Sequence, residues 1–353
     1  MSVVRPTEMG FIRWFRISAA LASLGHSVDI ASNELWRRVG HRVTHLGPRL
    51  RIVPLSRVDW SEYDVVKTHY HEGFETFERH VPAGHRFVIA HLGSMVGPVE
   101  MEGIHFHGRQ RERLYRTQER VRDASRYVSL LNEPARQLWR ECFGERPETL
   151  VVPGAADAEI PPPGPDPYAK DGRLDCVFSG NYYTRSSRSQ PEAHATLTGK
   201  LNRLGRLLWE RGGRLHVVGP GDRRSLDARV ITVHGAVRYE RSWDYLYHAA
   251  VGVVLLAGRF QHNNESTKIY HYLRAGLPVV SEAGFPNDHV VTESGLGSVV
   301  ENGAIERIAD RVLEAGRTVW DRQRAVQYIL DNHTWTRRAE TYDALLRERA
   351  GRC

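Results

Sequence analysis

Cysteine is scarce in this chain of 353 residues: Cys142, Cys176 and Cys353 are unevenly spaced and form no CxxC pair. Neither a disulfide framework nor a cysteine zinc site is suggested, and a reducing compartment fits. Long apolar runs are missing too. The longest, residues 251–257, falls far short of the roughly 20 residues that a membrane-crossing helix needs. The opening MSVVRPTEMG has neither a basic start nor an apolar segment, which argues against a signal peptide. The cytoplasm is therefore the expected compartment, with peripheral contact at the inner face of a membrane left open. Lysine is the third scarcity: Lys67, Lys170, Lys200 and Lys268 are the only four among 49 basic residues, so each is an unusual choice in an arginine-biased chain.

Against 42 acidic residues the basic ones leave a net charge of +7, which favours acidic partners such as nucleotides, phospholipid surfaces or nucleic acid without choosing among them. With 41% hydrophobic and 26% charged residues the chain has the composition of a folded protein, and its length suits two domains or one large one. The first half alternates: a short strand over 2–4, a helix over 12–24, strands over 27–31, 63–68, 86–91 and 127–131, a helix over 133–143 and a strand over 149–152. We expect an open, largely parallel α/β sheet covered on both faces. Residues 160–167, IPPPGPDP, hold five prolines in eight and exclude a helix interior or central strand, so they read as a connector. Beyond them strands over 174–179, 215–218, 230–234, 252–256 and 278–281 alternate with helices over 196–211, 242–250 and 267–275, and helices over 304–315 and 338–347 finish the chain. Two α/β halves on a stiff linker usually hold their ligand at the carboxyl ends of the strands.

Residues 263–280, NNESTKIYHYLRAGLPVV, are the most informative. Asn264, Glu265, Ser266 and Thr267 are helix-starting types, and the helix they open ends at Gly276 with Pro278 beyond. Free N–H groups at a helix start suit an anion, and Lys268 in the first turn adds a point charge able to reach a diphosphate. The same residues would equally serve as the cap of a helix that leads into a core strand.

The run KIYHYLRAGLPVV closely resembles the K-I-x-E-Y-L-A-x-G-x-P-V-V signature of the C-terminal domain of GT-B glycosyltransferases, especially the large retaining family 4. DCVFSG, LHVVGPG, VITVHGAV and WDYLYHAAVGVVLL resemble the strands and helix that precede it in that domain, while YVSLLNEPARQLWRECFG and VVPGAAD resemble its N-terminal neighbour's exit. The resemblance covers most of the chain, most strongly residues 127–301. It implies two Rossmann-like α/β domains facing across a cleft: an acceptor domain over 1–158, a linker over 159–171, a donor domain over 172–330, and a final helix over 331–353 that crosses back. Gly180, with Tyr182 beside it, and Gly219 would approach the donor phosphates, and His234, Gly235 and Val237 would cradle the base.

Two departures matter. The family's E-x7-E pair sets carboxylates around the donor, the second receiving the ribose hydroxyls. Here the two positions are Asn263 and His271. Either Glu265 takes over from a shifted loop, or His271 holds the ribose and Asn263 and Asn264 the sugar. An imidazole of ordinary pKa would lose its acceptor just below neutral pH. The phosphate-binding cations that follow the first strand of the donor domain have no plain counterpart, and Arg185 or Arg188 would serve.

In the first half His69 and His91 end successive apolar runs, in THYH and AHLGS, with His71 two residues beyond the first. His91 is the closest match to the family histidine that reaches the transferred sugar. Gly10 is the only glycine in the opening that allows close backbone approach. Residues 109–122 carry six Arg against two Glu, and on a helix Arg109, Arg113, Arg116 and Arg120 fall on one side, where they would face solvent or meet an acidic acceptor, a lipid surface or DNA.

The resemblance implies a metal-independent enzyme that moves a sugar from a UDP- or GDP-sugar to an acceptor hydroxyl with retention. His91, Arg188 and Lys268 would be its catalytic groups, with no permanently bound cofactor and no metal ligand. The acceptor, whether acidic, lipid-linked, a small molecule or DNA, stays open, as does the oligomeric state. Its rivals are a glucosyltransferase acting on modified DNA bases, a nucleotide-sugar 2-epimerase, and a nucleotide-sugar-binding protein without catalysis.

Overall fold

A computed structural model describes residues 8–31, 43–81, 83–98, 108–169, 171–183 and 191–350. These fall into two compact units, the first comprising residues up to 98, 108–155 and the chain from 334, the second comprising 156–333. The expected strand over 2–4 lies outside the described residues.

The first unit opens with helix α1 (Glu8–Ser23), whose Trp14, Ile17 and Leu21 are spaced to share one face, and all three are buried. Strands β1 (Val28–Ala31), β2 (Thr44–Gly47) and β3 (Leu50–Val53) form one sheet, in the order β1-β3-β2. Strand β4 (Val66–His69), helix α2 (Tyr70–His80), strand β5 (Val88–Gly93), helix α3 (Gly108–Ala124), strand β6 (Tyr127–Leu130), helix α4 (Glu133–Phe143) and strand β7 (Glu148–Val151) follow. Strands β4 to β7 make a second, all-parallel sheet in chain order. All six residues of β5 are buried, the mark of a strand covered on both faces. The single open sheet expected here is thus corrected among the described residues: there are two, and β2 and β3 pair antiparallel across Pro48 and Arg49. Helix α4 starts where Asn132 accepts from the N–H of Ala135 at 2.9 Å and stops at Gly144, whose φ of 81° only glycine adopts readily.

The second unit is one parallel sheet of six strands. Strand β8 (Leu174–Ser179), helix α5 (Pro191–Glu210), strand β9 (Gly213–Val218), strand β10 (Ile231–Gly235), helix α6 (Tyr239–His248), strand β11 (Val251–Val254), helix α7 (Thr267–Arg274), strand β12 (Val279–Glu282), helix α8 (His289–Ser294), strand β13 (Gly297–Val300), helix α9 (Ile305–Ala315) and helix α10 (Arg322–Asn332) run in that order. The sheet order is β10-β9-β8-β11-β12-β13, a doubly wound arrangement whose chain reverses direction between β8 and β11. Leu197, Leu201, Leu204 and Leu208 of α5 and Ile308 and Val312 of α9 cover one face. Trp243 and Leu246 of α6, Ile269 and Leu273 of α7 and Ile329 of α10 cover the other.

The proline-rich segment belongs to this unit. The N–H of Gly164 donates to Asp244 at 2.9 Å, and the hydroxyl of Tyr247 donates to the carbonyl of Pro161 at 2.8 Å. Proline thus keeps the segment out of helix and strand, and α6 holds it along one side. The last helix, α11 (Trp335–Ala350), packs on α1 within the first unit, where Asp343 meets His26 at 2.7 Å. Among the described residues no helix is long and apolar enough to cross a membrane, and no group of three or more His, Cys, Asp or Glu is placed to hold a metal ion.

Candidate functional site

Ligands of doubly wound sheets bind where the strand order reverses, so the loops after β8 and β11 are the place to build from. Gly180, the first residue after β8, donates its N–H to the carbonyl of Val218 at 2.7 Å, and Gly219 donates to the carbonyl of Gly235 at 2.8 Å. A side chain at Gly219, whose φ is 141°, would overlap the carbonyl of Gly180. The three loops beyond β8, β9 and β10 therefore touch main chain to main chain, which keeps side chains out of the space at their junction.

The loop after β11 delivers the start of α7. Lys268, in its first turn, is half-buried, and its ammonium lies 5.0 Å from the ring centre of Phe178. An alanine Cβ at Gly180 would come within 2.9 Å of that nitrogen, so Lys268 reaches directly over the glycine. Burial pulls the lysine down to about 8, making its charge expensive until an anion arrives. Ser266 occupies the N-cap without donating or accepting a cap bond, and its buried Oγ has no partner. A cation and an uncapped helix start thus converge above a glycine without a side chain, which is the composition of a phosphate site.

Two residues that hold this arrangement escape sequence reading. Asn287 is fully buried and clamps Ser266 from both sides, accepting from its N–H and donating to its carbonyl at 3.0 Å each. Tyr272 accepts from the N–H of Ser179 at 2.7 Å and so ties α7 to the end of β8. No local pattern marks Asn287, which lies 21 residues from its partner.

His271 follows Lys268 by one turn. Its ring lies 5.5 Å from Trp243 and 6.1 Å from Tyr239, and its buried Nε2 has no partner. Burial pushes it down to about 4, with Lys268 adding to the effect and Asp157 opposing it. The expected loss of its acceptor near neutral pH is therefore corrected: the imidazole stays neutral well below pH 6. Glu265 accepts from the hydroxyl of Tyr270 at 3.2 Å. Asn263 is fully buried beside His262, while Asn264 and Thr267 are half-buried.

At the end of β10, Gly235 has a φ of 77°, and Arg223 donates to the carbonyl of His234 at 2.9 Å. The His234 ring points inward, its Nε2 3.1 Å from Nδ1 of His216, whose Nε2 meets Asp175 at 2.8 Å. Burial, His216 and Arg223 together lower His234 to about 4. Val237 packs on the apolar core under α6, and the Tyr182 ring lies wholly inside the opposite core, against Gly221. The side chains of His234, Val237 and Tyr182 thus support the loops from beneath. Arg185 and Arg188 lie outside the described residues.

In the first unit the structure joins His69 to His91. They are register partners, His69 closing β4 and His91 two residues before the end of β5, with ring centres 5.0 Å apart. The ammonium of Lys67, two residues before His69 on the same strand face, lies 2.8 Å from its Nε2. Nδ1 of His91 meets Oγ of Ser129 at 2.9 Å, and Ser129 meets the hydroxyl of Tyr342 in α11 at 2.6 Å. His71 stands apart. It is buried between α2 and α3, with Nε2 3.0 Å from Gln118. Gly10 lies in the first turn of α1 and so belongs to a helix instead of the loop expected there.

The arginine face of α3 is partly neutralised by its neighbour. Arg113 pairs with Glu75 at 3.1 Å and Arg120 with Glu78 at 3.0 Å, both carboxylates on α2, while Arg109 and Arg116 are exposed.

No protein-family model matches the chain, and no curated protein matches its sequence. Solved structures do match in fold. Sucrose-phosphate synthase from Thermosynechococcus elongatus superposes with a TM-score of 0.72 at 14% identity, covering 100% of this chain and 96% of that one. Anabaena HepE in complex with UDP gives a TM-score of 0.69 at 12% identity over 98% of both chains. The OtsA apo structure gives a TM-score of 0.69 at 12% identity, again over 98% of each. These neighbours are GT-B glycosyltransferases, and the chain has the GT-B fold.

Proposed function

We propose that the protein is a glycosyltransferase that moves a sugar from a nucleoside diphosphate sugar, a UDP- or GDP-sugar, to an acceptor hydroxyl with retention of configuration. The observation that carries this reading is Lys268, set over Gly180 at the uncapped start of α7, where the doubly wound sheet reverses. Solved neighbours bind UDP and UDP-glucose, which supports the donor class.

In this reading the α7 N–H groups and Lys268 take up charge as the bond between the anomeric carbon and the diphosphate oxygen breaks. The acceptor oxygen bonds to the same carbon from the same face, and its proton passes to the departing phosphate oxygen. The site stabilises the leaving group more than the ground state, because the phosphate gains charge only as it departs. The acceptor belongs to the first unit, at the ends of β4 and β5. Pairing of Arg113 and Arg120 with α2 weakens the case for α3 as a nucleic-acid surface.

Titration with UDP, GDP, TDP and ADP, read by thermal stabilisation, tests the donor class. A nucleotide at 100 times its Kd adds about 2.7 kcal/mol. Matching nucleotide sugars should release nucleotide when acceptor is present, and the anomeric configuration of the product tests retention. Failure of all four nucleotides to stabilise the protein would sink the reading.

A further inference from the structure

The ends of β4 and β5 gather basic side chains in a place where charge is costly, and burial holds Lys67, His69 and His91 well below their ordinary values. Lys67 is 8% exposed, Arg13 6%, His69 1% and His91 0%. Among the described residues no carboxylate forms an ion pair or hydrogen bond with either cation. Arg13 donates to the carbonyls of Val152 and Pro153 and leaves its Nε without a partner. The polar contact of Lys67 is a histidine ring nitrogen, and its ammonium lies 5.0 Å from the ring centre of Tyr342. Buried charges are ordinarily paired, because an unpaired one forfeits its hydration for nothing in return.

The hydrogen-bond inventory is incomplete in the same direction. A charged Lys67 donates to Nε2 of His69, which places that ring's proton on Nδ1, and Nδ1 is buried with no partner. Nε2 of His91, also buried, has none either. The 11-residue helix α2 begins immediately after His69, and His69 gives it no side-chain cap. Tyr70, its first residue, has a φ of 55°, a left-handed conformation that non-glycine residues rarely adopt and that concentrates at functional sites. A cation, a ring donor and an uncapped helix start lack one thing in common, an acceptor carrying negative charge.

We propose that the first unit binds an oxyanion, a phosphoryl or carboxylate group, among Lys67, His69 and His91, and that this group is the charged handle of the acceptor. The acceptor assignment rests on the glycosyltransferase reading, whereas the anion site stands on the cluster alone.

The full chain is titrated separately with inorganic phosphate and with acetate at constant ionic strength, chloride serving as the control, and binding is read by thermal shift and calorimetry. Saturable stabilisation is expected from at least one of them, and the arm that responds identifies the phosphoryl or carboxylate source. Lys67→Met should weaken it by about tenfold or more while leaving the free protein at least as stable, since removing an uncompensated buried charge relieves desolvation. His91→Asn keeps a nitrogen or oxygen near Ser129 but deletes Nε2, and it should weaken the anion similarly even if Lys67→Met does not fold. Because phosphate also suits the Lys268 site, Lys268→Met is the decisive control. A response that survives Lys268→Met and disappears in Lys67→Met or His91→Asn supports the inference. A response lost only in Lys268→Met, or no saturable response at all, overturns it. If the Lys67-dependent response appears but no nucleotide binds, the anion site stands and the glycosyltransferase reading fails.

Discussion

Gly180 and Lys268 exclude each other's side-chain space: a Cβ on the glycine would lie within 2.9 Å of the lysine ammonium and closer still to its Cε. The lysine can therefore lie over the end of β8 only because residue 180 has no side chain.

Gly180→Ala should displace the ammonium without touching the core. Nucleotide affinity is expected to fall about tenfold with stability nearly unchanged, whereas Lys268→Met, which deletes a charge-assisted contact worth about 1.5–3 kcal/mol, should cost about 10- to 100-fold. Calorimetry with the preferred nucleoside diphosphate measures both. Wild-type affinity in Gly180→Ala would separate Lys268 from the phosphate site.

A pH dependence follows from the same lysine. Burial lowers it to about 8, so above that pH the free protein holds an uncharged amine. An anion binds the charged form, and its affinity should fall as pH rises from about 7.5 to 9.5. Stability moves oppositely. The unfolded chain keeps the lysine protonated up to about 10.4. Between the two values it binds more protons than the folded state, so this residue's contribution to stability improves with rising pH. Both slopes should be absent from Lys268→Met.

His271 behaves differently. Held near 4 by burial, it stays neutral from pH 7 to 5.5, and donor affinity should show no step there that depends on it. His271→Glu is expected to retain nucleotide binding if the ring occupies the ribose position, because a carboxylate offers more acceptors than a neutral imidazole. Loss of binding in a folded His271→Glu protein would transfer the ribose to Glu265.

How much of this was legible in the sequence depends on the range of each interaction. The α7 segment announces itself because its starting residues, lysine and closing Gly276 lie within one short run. Period-2 alternation would have placed Lys67 on the face of His69, although only the histidines stood out. Ser129 and Tyr342 are 213 residues apart, and nothing local to either points to the other. Proline content excluded regular structure at 160–167 but said nothing of the bonds from Asp244 and Tyr247 that hold the segment on α6. In the first unit the antiparallel β2–β3 pair was missed because Pro48 and Arg49 carry none of the Asn-Gly or Asp-Gly signals of tight hairpins.

Asn287 offers the clearest separation of scaffold from chemistry. Its side chain satisfies the N–H and the carbonyl of Ser266 together, and it is fully buried, so water cannot replace it without entering the core. Asn287→Ala leaves the buried N–H of Ser266 unpaired, at about 1–3 kcal/mol, and leaves its carbonyl only the bond from the N–H of Ile269 at 3.2 Å. Asn287→Asp keeps the acceptor for the N–H but sets a carboxylate oxygen against the Ser266 carbonyl. Both variants should lower the unfolding midpoint. Both should also weaken nucleotide binding, because Ser266 sets where α7 begins and hence where Lys268 stands. Asparagine touches no phosphate in this scheme, so the loss should be in affinity with the lysine pH profile preserved. A variant that unfolds earlier yet binds nucleotide as tightly as wild type would show that the start of α7 is positioned by other contacts, such as the bond between Tyr272 and Ser179.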